Sequence, residues 1–164
     1  MKVEITRYKS GERKGEIKKC DVKVEYADDW NADFTIATMV LPLLKKVKES
    51  KQGAPFVDDV HVPEHLRSTS ASPKENEWDT DANHFKRWDY ALDEMLFAMQ
   101  EIANHYENEP EVFVWPEENE HLPLMEQMRL SINIPGSEEA FKAYHARVQN
   151  GCVLFGTYFR SLWT

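Results

Sequence analysis

The sequence predicts an α+β fold: a small antiparallel sheet, made of an N-terminal hairpin and a later strand pair, packed against about three helices. Two patterns predict it. Short segments near the N-terminus and around residues 111–136 alternate apolar and polar residues, which is the period of a half-buried strand. Three longer segments repeat apolar residues every three or four positions, which is the period of a helix. The chain has 164 residues, 41% hydrophobic and 30% charged, so residues 1–164 are expected to form a single domain.

The first two strands are predicted at residues 2–9 and 16–26, joined by a glycine-containing turn at residues 10–15. Apolar residues recur along both segments with polar residues between them: Val3, Ile5, Ile17, Val22, Val24 and Tyr26. Two such segments around a short turn are typical of an antiparallel hairpin.

The first helix is predicted at about residues 32–50. Asn31 is expected to cap its start, and Pro42, which lacks a backbone N–H, is expected to kink or break it. Residues 53–80 are rich in proline, glycine and serine and show little periodicity, so they are predicted to form a long ordered loop. Its apolar residues are expected to hold it against the core: Phe56, Val57, Val60, Val62, Leu66 and Trp78.

The second helix, about residues 81–107, has the most regular pattern in the chain, and Asp79 or Thr80 is expected to cap it. Its apolar residues step alternately by three and four positions: Phe85, Trp88, Leu92, Met95, Met99, Ile102 and Tyr106. Two further strands are predicted at residues 111–118 and 128–136.

The third helix is predicted at residues 138–162, with Ser137 as its cap. Gly151 and Gly156 lie in its interior, where glycine costs about 1 kcal/mol relative to alanine. Close approach of another helix or of a ligand is one explanation for them, and simple tolerance is the other.

The net charge of −9 is concentrated in one part of the chain. Between Trp88 and Met128 there are 11 acidic residues and no lysine or arginine, whereas the remainder carries a net charge of +2. Residues 104–128 therefore form an acidic segment, interpreted as a solvated face. Binding to duplex nucleic acid is disfavoured because phosphate contacts need a basic surface.

The sequence predicts a cytoplasmic protein that does not enter a membrane. No apolar run reaches the length of a membrane span, and the first 20 residues contain no apolar segment typical of a secretory signal. Cys20 and Cys152 are too few for a disulfide framework, and both are interpreted as packing residues.

Recognisable catalytic, phosphate-binding and metal-binding motifs are absent from the sequence, so neither a cofactor nor a metal site is predicted. The segment His61–His65 has the letters of a zinc motif, but Pro63 interrupts it. Four carboxylates leave a metal-dependent nucleotide-processing enzyme open as an alternative: Asp79, Asp81, Asp89 and Asp93.

The predicted ligand-binding set combines basic, aromatic and amide side chains: Arg67, Trp78, Asn83, His84, Lys86, Arg87, Trp88, Arg147 and Asn150. Guanidinium groups hold phosphates or carboxylates, and indoles stack on nucleotide bases. The hypothesis requires these separated segments to converge on one pocket. The alternative is that Trp88 belongs to the core, Trp78 anchors the loop and the arginines lie on the surface.

Two segments carry a family resemblance: ENEWDTDANHFKRWDYALDEM at residues 75–95 and RVQNGCVLFGTYFRSLW at residues 147–163. In these segments the chain resembles a widespread family of uncharacterised tailed-bacteriophage proteins. Residues 104–130 match that pattern poorly, and His61 and His65 stand where acidic residues are expected.

The resemblance implies a phage accessory protein acting in the cytoplasm of an infected bacterium. By analogy with small phage inhibitors, the predicted function is non-catalytic capture of a small anionic, nucleotide-derived ligand such as a host defence signal. A protein-binding inhibitor or scaffold acting on a host factor is the alternative, with the acidic segment or the long loop as its docking surface. The near-heptad stripes of the later helices also leave a homo-oligomer open.

Overall fold

The computed structural model describes residues 1–163, apart from the side chain of Ala27, and confirms the α+β class. Its strands are β1 (Lys2–Arg7), β2 (Ile17–Lys23), β3 (Phe113–Val114) and β4 (Ile132–Asn133). Its α-helices are α1 (Tyr26–Trp30), α2 (Ala32–Ser50), α3 (His84–Ala103), α4 (Leu124–Leu130) and α5 (Ser137–Tyr158).

The hydrophobic core is made by helices, with α3 between α2 and α5. The apolar stripe of α3 is buried from Trp88 to Ile102, and Trp88, Leu92 and Met95 are at most 1% exposed, whereas Phe85 at its start is 53% exposed. Leu44 of α2 and Leu154 of α5 pack on the same cluster. Burying each such side chain contributes about 1.5–3 kcal/mol, so packing on α3 holds the three helices together.

Gly151 marks the closest approach of α5 to α3. A Cβ built at this position would lie 2.2 Å from the carbonyl oxygen of Glu94 and 2.5 Å from the Cβ of Ala98. At Gly156, by contrast, a Cβ would meet no described atom within 4 Å. Close helix packing therefore explains the first glycine, whereas the second is simply tolerated.

The strands form two separate two-stranded sheets rather than one. β1 and β2 pair as the predicted antiparallel hairpin, with Val3 opposite Val22, and β3 pairs with β4. Every residue of these strands is exposed, so neither sheet covers the helical core, contrary to the prediction. Cys20, expected to pack, is exposed on β2, whereas Cys152 is half-buried in α5.

The predicted helices are present, but their ends and caps differ in detail. α2 has the predicted bounds and continues through Pro42, and the side chain of Asn31 makes no capping hydrogen bond. α3 begins at His84, later than predicted, because Asp81 accepts a hydrogen bond from the Asn83 N–H and holds a turn before the helix.

Residues 124–130 form α4, where a loop running into a strand was predicted. The segment follows Pro123 and consists mainly of leucine, methionine, glutamate, glutamine and arginine, which are good helix formers. α5 begins at Ser137 itself, after Gly136 at φ +79°, so Ser137 is not the cap.

The long loop is pinned to the core at some of its apolar residues only. Val57 is fully buried and Val62 is 5% exposed, and three short 3-10 turns follow one another between residues 59 and 70. Phe56 and Val60 are exposed, and Trp78 is 89% exposed. Trp78 therefore does not anchor the loop.

Candidate functional site

The predicted set of basic and aromatic residues contains a buried ion pair where the long loop meets α3. Arg87 is 1% exposed, and its Nη1 and Nη2 donate to the two carboxylate oxygens of Asp81 at 2.9 and 2.7 Å. Nη1 also donates to the carbonyl of Leu66 at 3.2 Å, and a carboxylate oxygen of Asp59 lies 3.9 Å away. The guanidinium thus joins separate parts of the loop to the helix.

Asn83 continues this arrangement one turn earlier in the chain. Its side-chain amide donates to the carbonyls of His65 and Arg67, both at 3.3 Å. Arg87 donates to the carbonyl of Leu66, which lies between these two residues. Two side chains at the start of α3 therefore bind three successive backbone carbonyls of the loop. We call Asp59, Asp81, Asn83 and Arg87 the loop latch.

The carboxylates of the loop latch are both charged at neutral pH. Hydrogen bonds from Arg87 lower the pKa of Asp81 from 3.8 to about 2, against the opposing effect of burial. The hydroxyl of Ser68 is the largest cause of a lowered pKa at Asp59. Two carboxylates around one guanidinium give the latch a net charge of −1, which repels phosphate rather than attracting it.

Trp88 and Arg147 do not join the latch in a ligand pocket. Trp88 is 1% exposed and packs edge-on against Tyr158, with ring centroids 5.9 Å apart, so its indole cannot stack on a ligand. Arg147 donates from Nε and Nη2 to the Oε1 of Glu94 at 3.0 and 2.8 Å, and its guanidinium carbon lies 3.8 Å from the ring centroid of Phe97. The guanidinium groups of Arg87 and Arg147 each hold a carboxylate of the chain, so the structure does not bring them together with the Trp88 indole around an open pocket.

Some of the remaining predicted residues adjoin the loop latch, and others lie apart from it. Arg67, Trp78 and Lys86 are exposed, and Lys86 donates to the Asn83 side-chain oxygen at 3.4 Å. The Nε2 of His84 lies 3.1 Å from the carbonyl of Ala54, and Asn150 is half-buried on α5. These positions correct the sequence hypothesis: Asn83, Arg87 and Trp88 are buried, and none of the nine predicted residues lines the groove beside α2 or the groove beside β3.

The four candidate metal-binding carboxylates are each engaged by another side chain. Asp89 pairs with Lys51 at 2.9 Å and Asp93 pairs with Lys48, while Asp81 belongs to the loop latch. Asp79 accepts from the Asn76 amide at 2.9 Å. Within residues 1–163, no three His, Cys, Asp or Glu side chains are grouped as a metal would require.

Two buried glutamates of α3 that the sequence analysis did not single out, Glu94 and Glu101, lie on the same edge of the helix as Arg87. Arg87, Glu94 and Glu101 follow one another at intervals of seven residues and are 1%, 6% and 3% exposed. Glu101 accepts from the hydroxyl of Tyr144 on α5 at 2.6 Å, and burial together with this bond raises the pKa of Tyr144. The seven-residue spacing of Arg87, Glu94 and Glu101, next to the apolar stripe of α3, is the sequence pattern that could have indicated this buried charged edge.

Two apolar grooves are open to a ligand. The helix groove lies between α2 and the end of α5 and has a volume of about 460 Å³. It is lined by Val40, Leu43, Leu44, Val47, Phe155, Phe159 and Leu162, with Lys46 and Ser50. The strand groove, about 750 Å³, lies between the β3 segment (residues 109–115) and the first turns of α5.

Comparison with known proteins gave no match: no protein-family model, curated protein or solved structure matches this chain. The resemblance to phage proteins therefore stays a prediction. Among the helices of residues 1–163, none combines the length and the apolar character needed to cross a membrane.

Proposed function

We propose that this chain is a non-catalytic protein-binding protein, an inhibitor or scaffold, that receives an amphipathic helix of its partner in the helix groove. The observation that carries the proposal is the exposure of large apolar side chains along the groove. Leu43 on α2 is 66% exposed, and Phe159 in the 3-10 turn that follows α5 is 60% exposed, on the two sides of one concave surface. A contiguous exposed apolar surface of this kind typically marks a site of protein–protein contact.

The shape of the groove favours a helix as its occupant. Its two walls are helices, and a third helix with apolar residues at three- and four-residue spacing can lay that face between them. Fully burying a leucine or phenylalanine side chain yields about 1.5–3 kcal/mol, so Leu43 and Phe159 can act as the energetic centre of the contact.

The charge at the rim of the groove narrows the class of partner. Lys46 lines the groove with its side chain 73% exposed, and its nearest carboxylate is Glu49, 3.5 Å away on the same helix. An exposed ion pair of this kind contributes little to stability, so Lys46 can leave Glu49 and pair with a carboxylate of the partner. A partner helix with acidic residues beside its apolar face is therefore favoured.

Protein binding is better supported than anion capture or metal catalysis. The guanidinium groups of Arg87 and Arg147 each hold a carboxylate, and the indole of Trp88 is buried. We also propose, from the phage-protein resemblance alone, that the partner is a host factor and that the protein acts in the cytoplasm of the infected bacterium.

Site-specific photo-crosslinking tests the proposal. With p-benzoylphenylalanine in place of Leu43, irradiation in infected-host lysate should give a discrete adduct. Mass spectrometry should place the crosslink in an acidic amphipathic helix of the captured protein. Adding Phe159→Glu, which puts a charge in the apolar groove, should reduce that adduct at least tenfold.

The matched control carries the same photo-crosslinker at Val60, which is 77% exposed on the long loop. It should not give the adduct seen from the groove. Equal labelling from both positions, or an adduct that survives Phe159→Glu, would refute the helix groove as the docking surface. Binding of nucleotides or cyclic dinucleotides detected by titration calorimetry, and lost in Arg147→Ala, would favour anion capture instead.

A further inference from the structure

The β1–β2 hairpin has an apolar face that nothing in residues 1–163 covers. Directly opposed residues share a face in an antiparallel pair, so Val3 with Val22 and Ile5 with Cys20 lie on the same side. The apolar side chains of this face are 41–55% exposed. An isolated two-stranded hairpin is marginally stable in water, so this face and the strand edges gain from a partner.

The hairpin is basic as well as apolar. Residues 1–25 contain eight lysines and arginines and five acidic residues, a net charge of +3. β2 is the more basic strand, with Lys18, Lys19 and Lys23 against Asp21. Lys19 and Lys23 project from the face opposite to Val22, so the surface that binds the apolar face has to be apolar, and acidic residues around it favour binding through the net positive charge of the hairpin.

The strand groove has that chemistry. Phe113, Trp115 and Phe141 supply apolar surface. Three carboxylates also line it, from Glu109, Glu111 and Glu138, against the single cation Lys142.

One edge of β3 is also free to accept another strand. The N–H of Ile134 donates to the carbonyl of Val112 at 2.9 Å, on the edge that faces β4. Because bonding direction alternates along a strand, the N–H and C=O of Phe113 point to the opposite edge. No strand pairs with β3 there in the part of the chain that the structure describes. The groove lies between the β3 segment and α5, and β4 does not line it.

We propose that the strand groove binds the hairpin of a second copy of this chain. β2 of one copy adds to the free edge of β3 in the other, and its apolar face lies in the groove. Two two-stranded ribbons then become one four-stranded sheet, which has enough strands to be stable. A reciprocal dimer makes this contact twice. The self-association is independent of the helix groove.

Complementation between two variants tests the contact. Val22→Glu places a charge on the hairpin face but leaves the groove intact, and Phe113→Glu does the reverse. In analytical ultracentrifugation, the wild type should self-associate, and each variant alone should associate at least tenfold more weakly. An equimolar mixture should regain association, because it pairs an intact hairpin with an intact groove. Raising the salt concentration from 0.05 to 0.5 M should weaken wild-type association.

Leu43→Glu, in the helix groove, is the matched control and should associate like the wild type. Circular dichroism establishes that each variant folds, and Glu111→Lys is a second groove variant that changes only an exposed charge. A wild type that stays monomeric at 0.2 mM would overturn the proposal. So would unchanged association of Val22→Glu, or a mixture no better than its components.

Discussion

Replacing Gly151 with alanine is expected to destabilise the protein, although alanine is the better helix former. The new Cβ would lie 2.2 Å from the Glu94 carbonyl oxygen, whereas ordinary contacts are 3.4–4 Å, so α5 has to move away from α3 by about 1 Å. Overpacking of this kind costs about 1–3 kcal/mol, offset in part by up to about 1 kcal/mol of helix propensity. We expect a net loss of about 1–2 kcal/mol, or about 2–8 °C in Tm.

Gly156 provides the control within the same helix. It is exposed and has no described neighbour within 4 Å of a built Cβ, so alanine there should stabilise the protein by up to about 1 kcal/mol. Urea unfolding followed by circular dichroism measures both variants against the wild type. If Gly151→Ala proved as stable as Gly156→Ala, the close packing of α3 and α5 would be refuted.

Three further predictions concern the buried polar groups. Asp81→Asn should lower the free energy of unfolding by about 3 kcal/mol, the lower end of the range for a broken buried ion pair, because the buried Arg87 guanidinium loses its bidentate carboxylate and keeps only Asp59, 3.9 Å away; a urea titration that shows under 1 kcal/mol contradicts this. The folded pKa of Asp81 lies below its unfolded value of 3.8, so its contribution is complete above pH 3.8 and is lost as pH falls towards 2. About 2 kcal/mol should disappear across that window in the wild type but not in Asp81→Asn. Tyr144→Phe should cost about 1–3 kcal/mol in thermal unfolding, since Glu101 then loses a buried donor; an unchanged Tm counts against that hydrogen bond.

The three long helices could be predicted because each repeats apolar residues at helical spacing, whereas the short helices α1 and α4 were not predicted. The stripe of α3 predicted from the sequence is buried from Trp88 onwards, and α2 has the bounds that its periodicity indicated. The first residue of a helix was harder to predict from the sequence. The first residue of α3 depends on a turn held by Asp81, whose role becomes visible only when Arg87 is placed beside it.

The strands show what alternation cannot reveal. Val3, Ile5 and Val22 alternate as residues of a half-buried strand do, and they do share one face of the hairpin. A pattern of this kind states that a face is apolar, and it does not state what covers it. In this chain no helix of the described residues covers that face, so the packing of sheet on helices was wrong although the hairpin was right.

The candidate site failed for a related reason. Arginine and tryptophan are typical of anion-binding pockets, but the same properties suit them to buried ion pairs and cores. The carboxylate that binds Arg87 lies six residues earlier in the sequence, whereas the one that binds Arg147 lies on another helix. Residue type indicated which side chains need partners, and only the fold shows that the chain supplies them itself.

Docking in the helix groove is tested most directly by hydrogen–deuterium exchange of the chain, free and in complex with the protein captured through Leu43. We expect slower exchange in the complex along residues 39–50 and 153–162, with residues 64–70 of the latched loop unchanged. Protection centred on residues 64–87 instead would show that the loop latch binds the partner, and would contradict both its structural role and the helix groove.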